Sequence, residues 1–134
     1  MKNKFYAFVI AVSSLACKSG DQLKYEQYMI SGERLYVQHC ANCHGKNGEG
    51  LRTLYPPLRN ADYLKNKDAV ICLIKNGSNK PIIVNGITYT QAMPKVAGIY
   101  DIDIAQISTF IYGKFMNSDS LITVEDIQAI KCQK

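Results

Sequence analysis

The chain has no tryptophan and only two histidines among its 134 residues. Its N-terminal apolar run, Phe5 to Val12, is eight residues long. A permanent membrane-spanning helix needs roughly 20, so this run is too short to be one. There is no internal repeat and no low-complexity segment, which excludes a solenoid or a disordered array. The formal charge is +5, with no stripe of basic residues interleaved with aromatics. That balance does not suggest nucleic acid, and none is expected as a partner. One C-x-x-C pair is present without a second, so a zinc ribbon cannot be completed. A chain of this length, 47% apolar, has the size of one domain with an ordinary core.

The pair that is present is followed directly by one of the two histidines: Cys40-Ala41-Asn42-Cys43-His44. C-x-x-C-H is the attachment signature for c-type haem. Two thiols at this spacing bond the two vinyl groups on one edge of a porphyrin, and the next residue sets an imidazole under the iron. Without the histidine, the pair would read as a thioredoxin-like redox motif or half a metal site. The remaining alternative is a buried histidine beside a disulfide or metal pair. One covalent haem c is therefore the expected cofactor, with Cys40 and Cys43 as attachment points and His44 as proximal ligand.

The N-terminus supplies the compartment that such attachment requires. Lys2 and Lys4, the apolar run and Ser13-Ser14-Leu15-Ala16 have the layout of a secretory signal. Ser14-Leu15-Ala16-Cys17 is similar to a bacterial lipobox, which implies lipidation at Cys17. The alternative is an ordinary signal peptide with Cys17 as a bystander. Cleavage would leave residues 17–134, remove Lys2 and Lys4 and lower the formal charge to about +3. The expected organisation is a signal peptide over 1–16, a lipid anchor and polar tether over 17–30, and a haem domain over 31–134.

Two cysteines are left, Cys72 and Cys132. In an oxidising compartment they are expected to form a disulfide, with two separately buried thiols as the alternative. Along the chain, Ser31 is positioned to cap a helix carrying Leu35, Tyr36 and His39 towards Cys40. Asp62 or Asn66 opens a second helix, which Asn76-Gly77 closes. Asn85-Gly86 between two β-branched runs predicts a hairpin. Asp101 or Asp103 caps a further helix that turns Ile104, Ile107, Phe110 and Ile111 to one face. Thr123 with Asp126 starts a last short helix.

A haem with His44 on one side needs its other axial position explained. Apart from the initiator, the candidates are Met29, Met93 and Met116. Met93 follows the hairpin, and Pro94 stiffens the backbone beside it. Core filling is the alternative role for any of the three. His39, one residue before Cys40 on the proximal helix, cannot easily swing to the far face.

Taken together, Cys40-Ala41-Asn42-Cys43-His44-Gly45, Pro56, Leu58 and Met93-Pro94 resemble class I cytochrome c, over about residues 31–113. More narrowly, Leu58, Cys72, Asn76-Gly77, Val84-Asn85-Gly86, Met93-Pro94 and Cys132 resemble small lipoprotein cytochromes of Bacteroidota-type bacteria. The resemblance implies a mainly α fold, with three to five helices around one haem and a small β-hairpin before the distal Met loop. It implies His44 and Met93 as axial iron ligands. It implies a Pro56 carbonyl bonded to the His44 ring and Leu58 packed on the haem face. The first helix would cross the one at residues 101–113, with Gly32 permitting close approach and Tyr36 meeting Phe110 or Tyr112. Tyr89 would bond a haem propionate or simply pack.

The function so implied is a monomeric electron carrier at the periplasmic side of a bacterial envelope, held to the membrane by lipid. It would pass single electrons from a quinol-oxidising complex to a terminal oxidase or reductase, with no catalytic residue of its own. Lys46 and Lys95 would steer an acidic partner or simply be solvated. One competing reading is a haem enzyme or ligand sensor with a labile sixth site. Another is a fixed haem subunit of a larger redox complex.

Overall fold

The computed structural model describes residues 20–132. Within them lie α1 (Gly20–His39), α2 (Ala41–His44), a 3-10 turn (Asp62–Lys65), α3 (Lys67–Asn76), β1 (Ile82–Val84), β2 (Ile87–Tyr89), α4 (Asp101–Met116) and α5 (Val124–Ala129). The fold is mainly helical, with one small antiparallel sheet. The expected signal peptide and Cys17 fall outside the described residues.

The main departure from expectation is at the start. Ser31 caps nothing, and the tether expected over 17–30 is, from Gly20 onward, the first half of α1. This half is docked. Tyr28 is buried, the Tyr25 hydroxyl donates to the Ser118 carbonyl at 3.0 Å, and Met29 lies against Gly113. The domain therefore begins at least as early as Gly20.

α1 crosses α4 at closest approach around Gly32. A Cβ there would collide with the Gln106 carbonyl and stand 2.8 Å from the Phe110 Cβ. Glycine is thus required for the backbones to meet. One turn on, Tyr36 is fully buried against Phe110 (ring centroids 5.3 Å apart) and Phe115 (5.7 Å). α4 contributes Ile104, Ile107, Phe110 and Ile111 to the core, as its periodicity predicts. Neither Asp101 nor Asp103 is its N-cap. Tyr100 holds that place, and the Asp103 carboxylate reaches back to accept from the Tyr100 amide at 2.8 Å. The helix runs past Gly113 to Met116 and stops where Asn117 turns left-handed (φ 52°).

α3 is capped by Asn66, whose side chain accepts from the Ala69 amide, and is closed by Gly77. Cys72 on α3 is disulfide-bonded to Cys132 just beyond α5, with the Cα atoms 5.4 Å apart. Thr123 caps α5 by accepting from the Asp126 amide at 3.2 Å. The hairpin turn has positive φ at both Asn85 (50°) and Gly86 (77°). The sheet pairs Ile82 with Tyr89 and Val84 with Ile87. It is clamped to the 3-10 turn in both directions. The Asn85 amide donates to the Asp62 carboxylate (2.8 Å), and the Asp62 amide donates to the Asn85 side-chain carbonyl (2.9 Å).

Candidate haem-binding site

α1 ends at His39, Cys40 makes a single turn, and α2 carries Cys43 and His44. The backbone here is continuous in hydrogen bonding. The Cys40 amide donates to Tyr36, the His44 amide to Cys40, and the Gly50 amide to the His44 carbonyl. Tyr36 adds a side-chain bond, its hydroxyl donating to the Gly45 carbonyl at 2.6 Å. The loop that carries the motif is therefore anchored to the α1–α4 crossing.

His44 Nδ1 lies 2.9 Å from the Pro56 carbonyl. A carbonyl only accepts, so Nδ1 holds the ring proton and Nε2 keeps its lone pair. Burial pushes the His44 pKa down, against the opposing pull of that hydrogen bond. A neutral ring with a free Nε2 is the form that binds a metal.

Cys40 and Cys43 are not bonded to each other. Burial, with a smaller contribution from Cys43, pushes the Cys40 thiol up to about 11. A thioredoxin-like pair needs the opposite shift, since its nucleophile is a stabilised thiolate. Among the described residues, no cluster of three or more His, Cys, Asp or Glu would hold a bare metal ion.

These residues face one cavity of about 1220 Å³, counting its open mouth. Its wall is overwhelmingly apolar. Leu58 and Pro57 come from the loop after the motif, and Leu64 from the 3-10 turn. Val70, Leu73 and Ile74 come from α3, Ile82 and Val84 from the hairpin, and Ile107 and Ile111 from α4. Cys40, Cys43, His44, Pro56 and Met93 all line it. No Arg, Asp or Glu is among the described residues of this wall. Two free cysteines, a histidine and a methionine lining one apolar cavity match a macrocycle with an iron at its centre. The residues fit a covalent haem.

The route to Met93, which the hairpin left open in the sequence, is set by Ser78. The Met93 amide donates to the Ser78 carbonyl and the Ser78 amide to the Met93 carbonyl, both at 2.8 Å. Gly77 (φ 69°) permits this approach, because a Cβ there would stand 2.6 Å from the Met93 carbonyl. The competing methionines are elsewhere. Met29 is in the α1–α4 contact, and Met116 ends α4, partly exposed. His39 also lines the cavity, from the α1 side. Tyr89 lines it too, with its hydroxyl donating to the Arg52 carbonyl at 3.3 Å.

The sequence model of the family described as cytochrome C oxidase, cbb3-type, subunit III matches residues 29–111. The chain belongs to this family of c-type cytochromes. It is similar to cytochrome c6 of Cyanidium caldarium, at 26% identity over 109 residues, 79% of this chain and 89% of the relative. It is also similar to a cytochrome c-552 of Thermus thermophilus, at 26% identity over 144 aligned positions, all of this chain and 89% of the relative. A further cytochrome c-552 of Thermus thermophilus matches at 26% over 77% of this chain and 86% of its own length. The chain is thus a class I monohaem cytochrome that carries covalent haem c and transfers electrons. No helix among the described residues of this cytochrome is long and apolar enough to cross a membrane.

Proposed function

We propose that the cytochrome is a lipid-anchored single-electron carrier of a bacterial envelope respiratory chain, working between a quinol-oxidising complex and a terminal oxidase or reductase. The bound haem supplies the one-electron couple. In this reading Cys40 and Cys43 would hold it covalently, and the Nε2 of His44 and the thioether of Met93 would bind its iron, leaving no position for a substrate. The soft sulfur and the apolar wall both favour the reduced iron and raise the potential. Pro56 fixes the His44 tautomer, and Ser78 holds the Met93 backbone in place.

The observation that carries the reading is the shared wall: His44 and a backbone-pinned Met93 line one apolar cavity that has no Arg, Asp or Glu among its described residues. Carbon monoxide mixing with the reduced holoprotein tests it. A closed site binds slowly and only as Met93 leaves the iron, whereas rapid, concentration-dependent binding would favour the enzyme or sensor.

A second reading has its own support. The matching family is described as an oxidase subunit, which favours a haem domain fixed to a larger redox complex. Purification in mild detergent separates the two. A free carrier elutes alone, and a subunit brings its complex with it.

A further inference from the structure

The proposed anchor and the observed helix are almost contiguous. Only Lys18 and Ser19 separate Cys17 from Gly20, the first described residue of α1. Each residue of extended chain reaches at most about 3.6 Å, so an acyl group on Cys17 cannot lie far from Gly20. α1 itself cannot swing, because Tyr25, Met29, Gly32 and Tyr36 fasten its inner face to α4 and the segment after it.

The outer face of α1 carries a feature that the core does not use. Leu23, Ile30 and Val37 stand at seven-residue intervals, two helical turns apart, and are 51%, 72% and 47% exposed. They form one row along the helix, on the side away from Tyr28, Gly32 and Tyr36. The row is about 21 Å long and starts three residues after Gly20. Glu26, Glu33, Gln27 and Arg34 flank it, with no cationic excess.

We infer that α1 lies along the lipid surface through Leu23, Ile30 and Val37, so that the haem domain is held in one orientation instead of swinging on a tether. This rests on the reading of Cys17 as lipidated. Three exposed apolar side chains would bind a membrane weakly on their own. An acyl chain a few residues away makes their contact intramolecular, which raises its effective concentration. Because the flanking charges do not favour anionic headgroups, the contact works on neutral lipid and is insensitive to salt. The far end of α1 leads directly into Cys40, so the haem attachment site stays at a constant height above the bilayer.

The cysteine allocation provides the probe. With Cys17 acylated, Cys40 and Cys43 on haem and Cys72 bonded to Cys132, an Ile30→Cys substitution creates the one free thiol in the mature holoprotein. A nitroxide is placed there, and a second variant, Thr88→Cys on the exposed face of the hairpin, serves as control. Both are reconstituted in phosphatidylcholine vesicles, and collision with oxygen is compared with collision with a water-soluble nickel complex. The expected result is a several-fold rise in the oxygen-to-nickel ratio at position 30 on reconstitution, unchanged by salt, with no rise at position 88. Equal water access at both positions, in protein whose intact mass includes the diacylglyceryl group, overturns the lipid contact and leaves the anchor intact. Loss of access at position 30 without vesicles, with dipolar broadening at higher protein concentration, assigns the face to a second copy and overturns it too. An intact mass that lacks the acyl group removes the anchor reading and this one with it.

Discussion

Tyr36 ties the helix crossing to the loop that follows the proximal ligand, and its two roles separate experimentally. Tyr36→Phe keeps the ring against Phe110 and Phe115 and deletes only the hydroxyl that donates to the Gly45 carbonyl. That carbonyl also accepts from the Gly48 amide at 3.2 Å, so it is not left wholly unpaired. The expected cost is about 1 kcal/mol, the low end for a lost buried bond. Tyr36→Ala removes the ring as well and leaves a cavity at a fully buried position, so its expected cost is at least about 3–5 kcal/mol. Denaturant unfolding of the holoprotein followed by far-ultraviolet circular dichroism gives both values, and amide exchange locates the effect. In Tyr36→Phe, faster exchange should be confined to the Gly45–Gly50 loop. Burial is the largest cause that raises the Tyr36 phenol pKa, and it persists when Cys40 is bonded to haem. The hydroxyl therefore stays protonated, and the difference from Phe should not change between neutral and moderately alkaline pH. If Tyr36→Phe is as unstable as Tyr36→Ala, or if exchange accelerates throughout α1, the hydroxyl is not a local fastener of the loop.

Replacing Cys72 and Cys132 with serine opens a link spanning 60 residues, and the chain-entropy relation puts the loss at about 4 kcal/mol, read from the same unfolding midpoints. Ser108 is fully buried on α4 with no partner for its hydroxyl among the described residues, so Ser108→Ala should be neutral or stabilising by up to about 1 kcal/mol in thermal unfolding, and a clear loss would reveal a hidden partner. The Asp126 carboxyl is held below its ordinary pKa, chiefly by the Thr123 amide that donates to it. A depressed folded value stabilises above the unfolded pKa and is lost as pH falls through the folded one. Wild type should therefore lose stability more steeply than Asp126→Asn between about pH 5 and pH 2, and parallel curves would contradict this.

What was legible in the sequence was local. The C-x-x-C-H run, the Asn85-Gly86 turn, the Asn66 and Thr123 caps and the inward face of α4 each need only neighbouring residues to be read. The first half of α1 was missed although a signal stood there: Ser19-Gly20-Asp21-Gln22 has the S-x-x-Q pattern of a helix start, but the apolar residues after it do not show in the sequence what they dock against. Its helix is held by Ser118 and Gly113, with Ser118 lying 93 positions from Tyr25. The position of Met93 was readable as a candidate, but not its route, because the Ser78 bridge joins two irregular segments on either side of the hairpin. The Asp62–Asn85 clamp was hidden for the same reason: two ordinary turn residues 23 apart carry no mark of each other.

The most direct test is whether Met93 closes the sixth iron position. The visible and near-infrared spectrum of the oxidised holoprotein should show the weak charge-transfer band of a ferric iron–thioether bond. The band should disappear in Met93→Ala and persist in Met29→Leu and Met116→Leu. A wild-type spectrum without the band and with high-spin features would contradict the account, because the cavity would then hold an iron open to ligands.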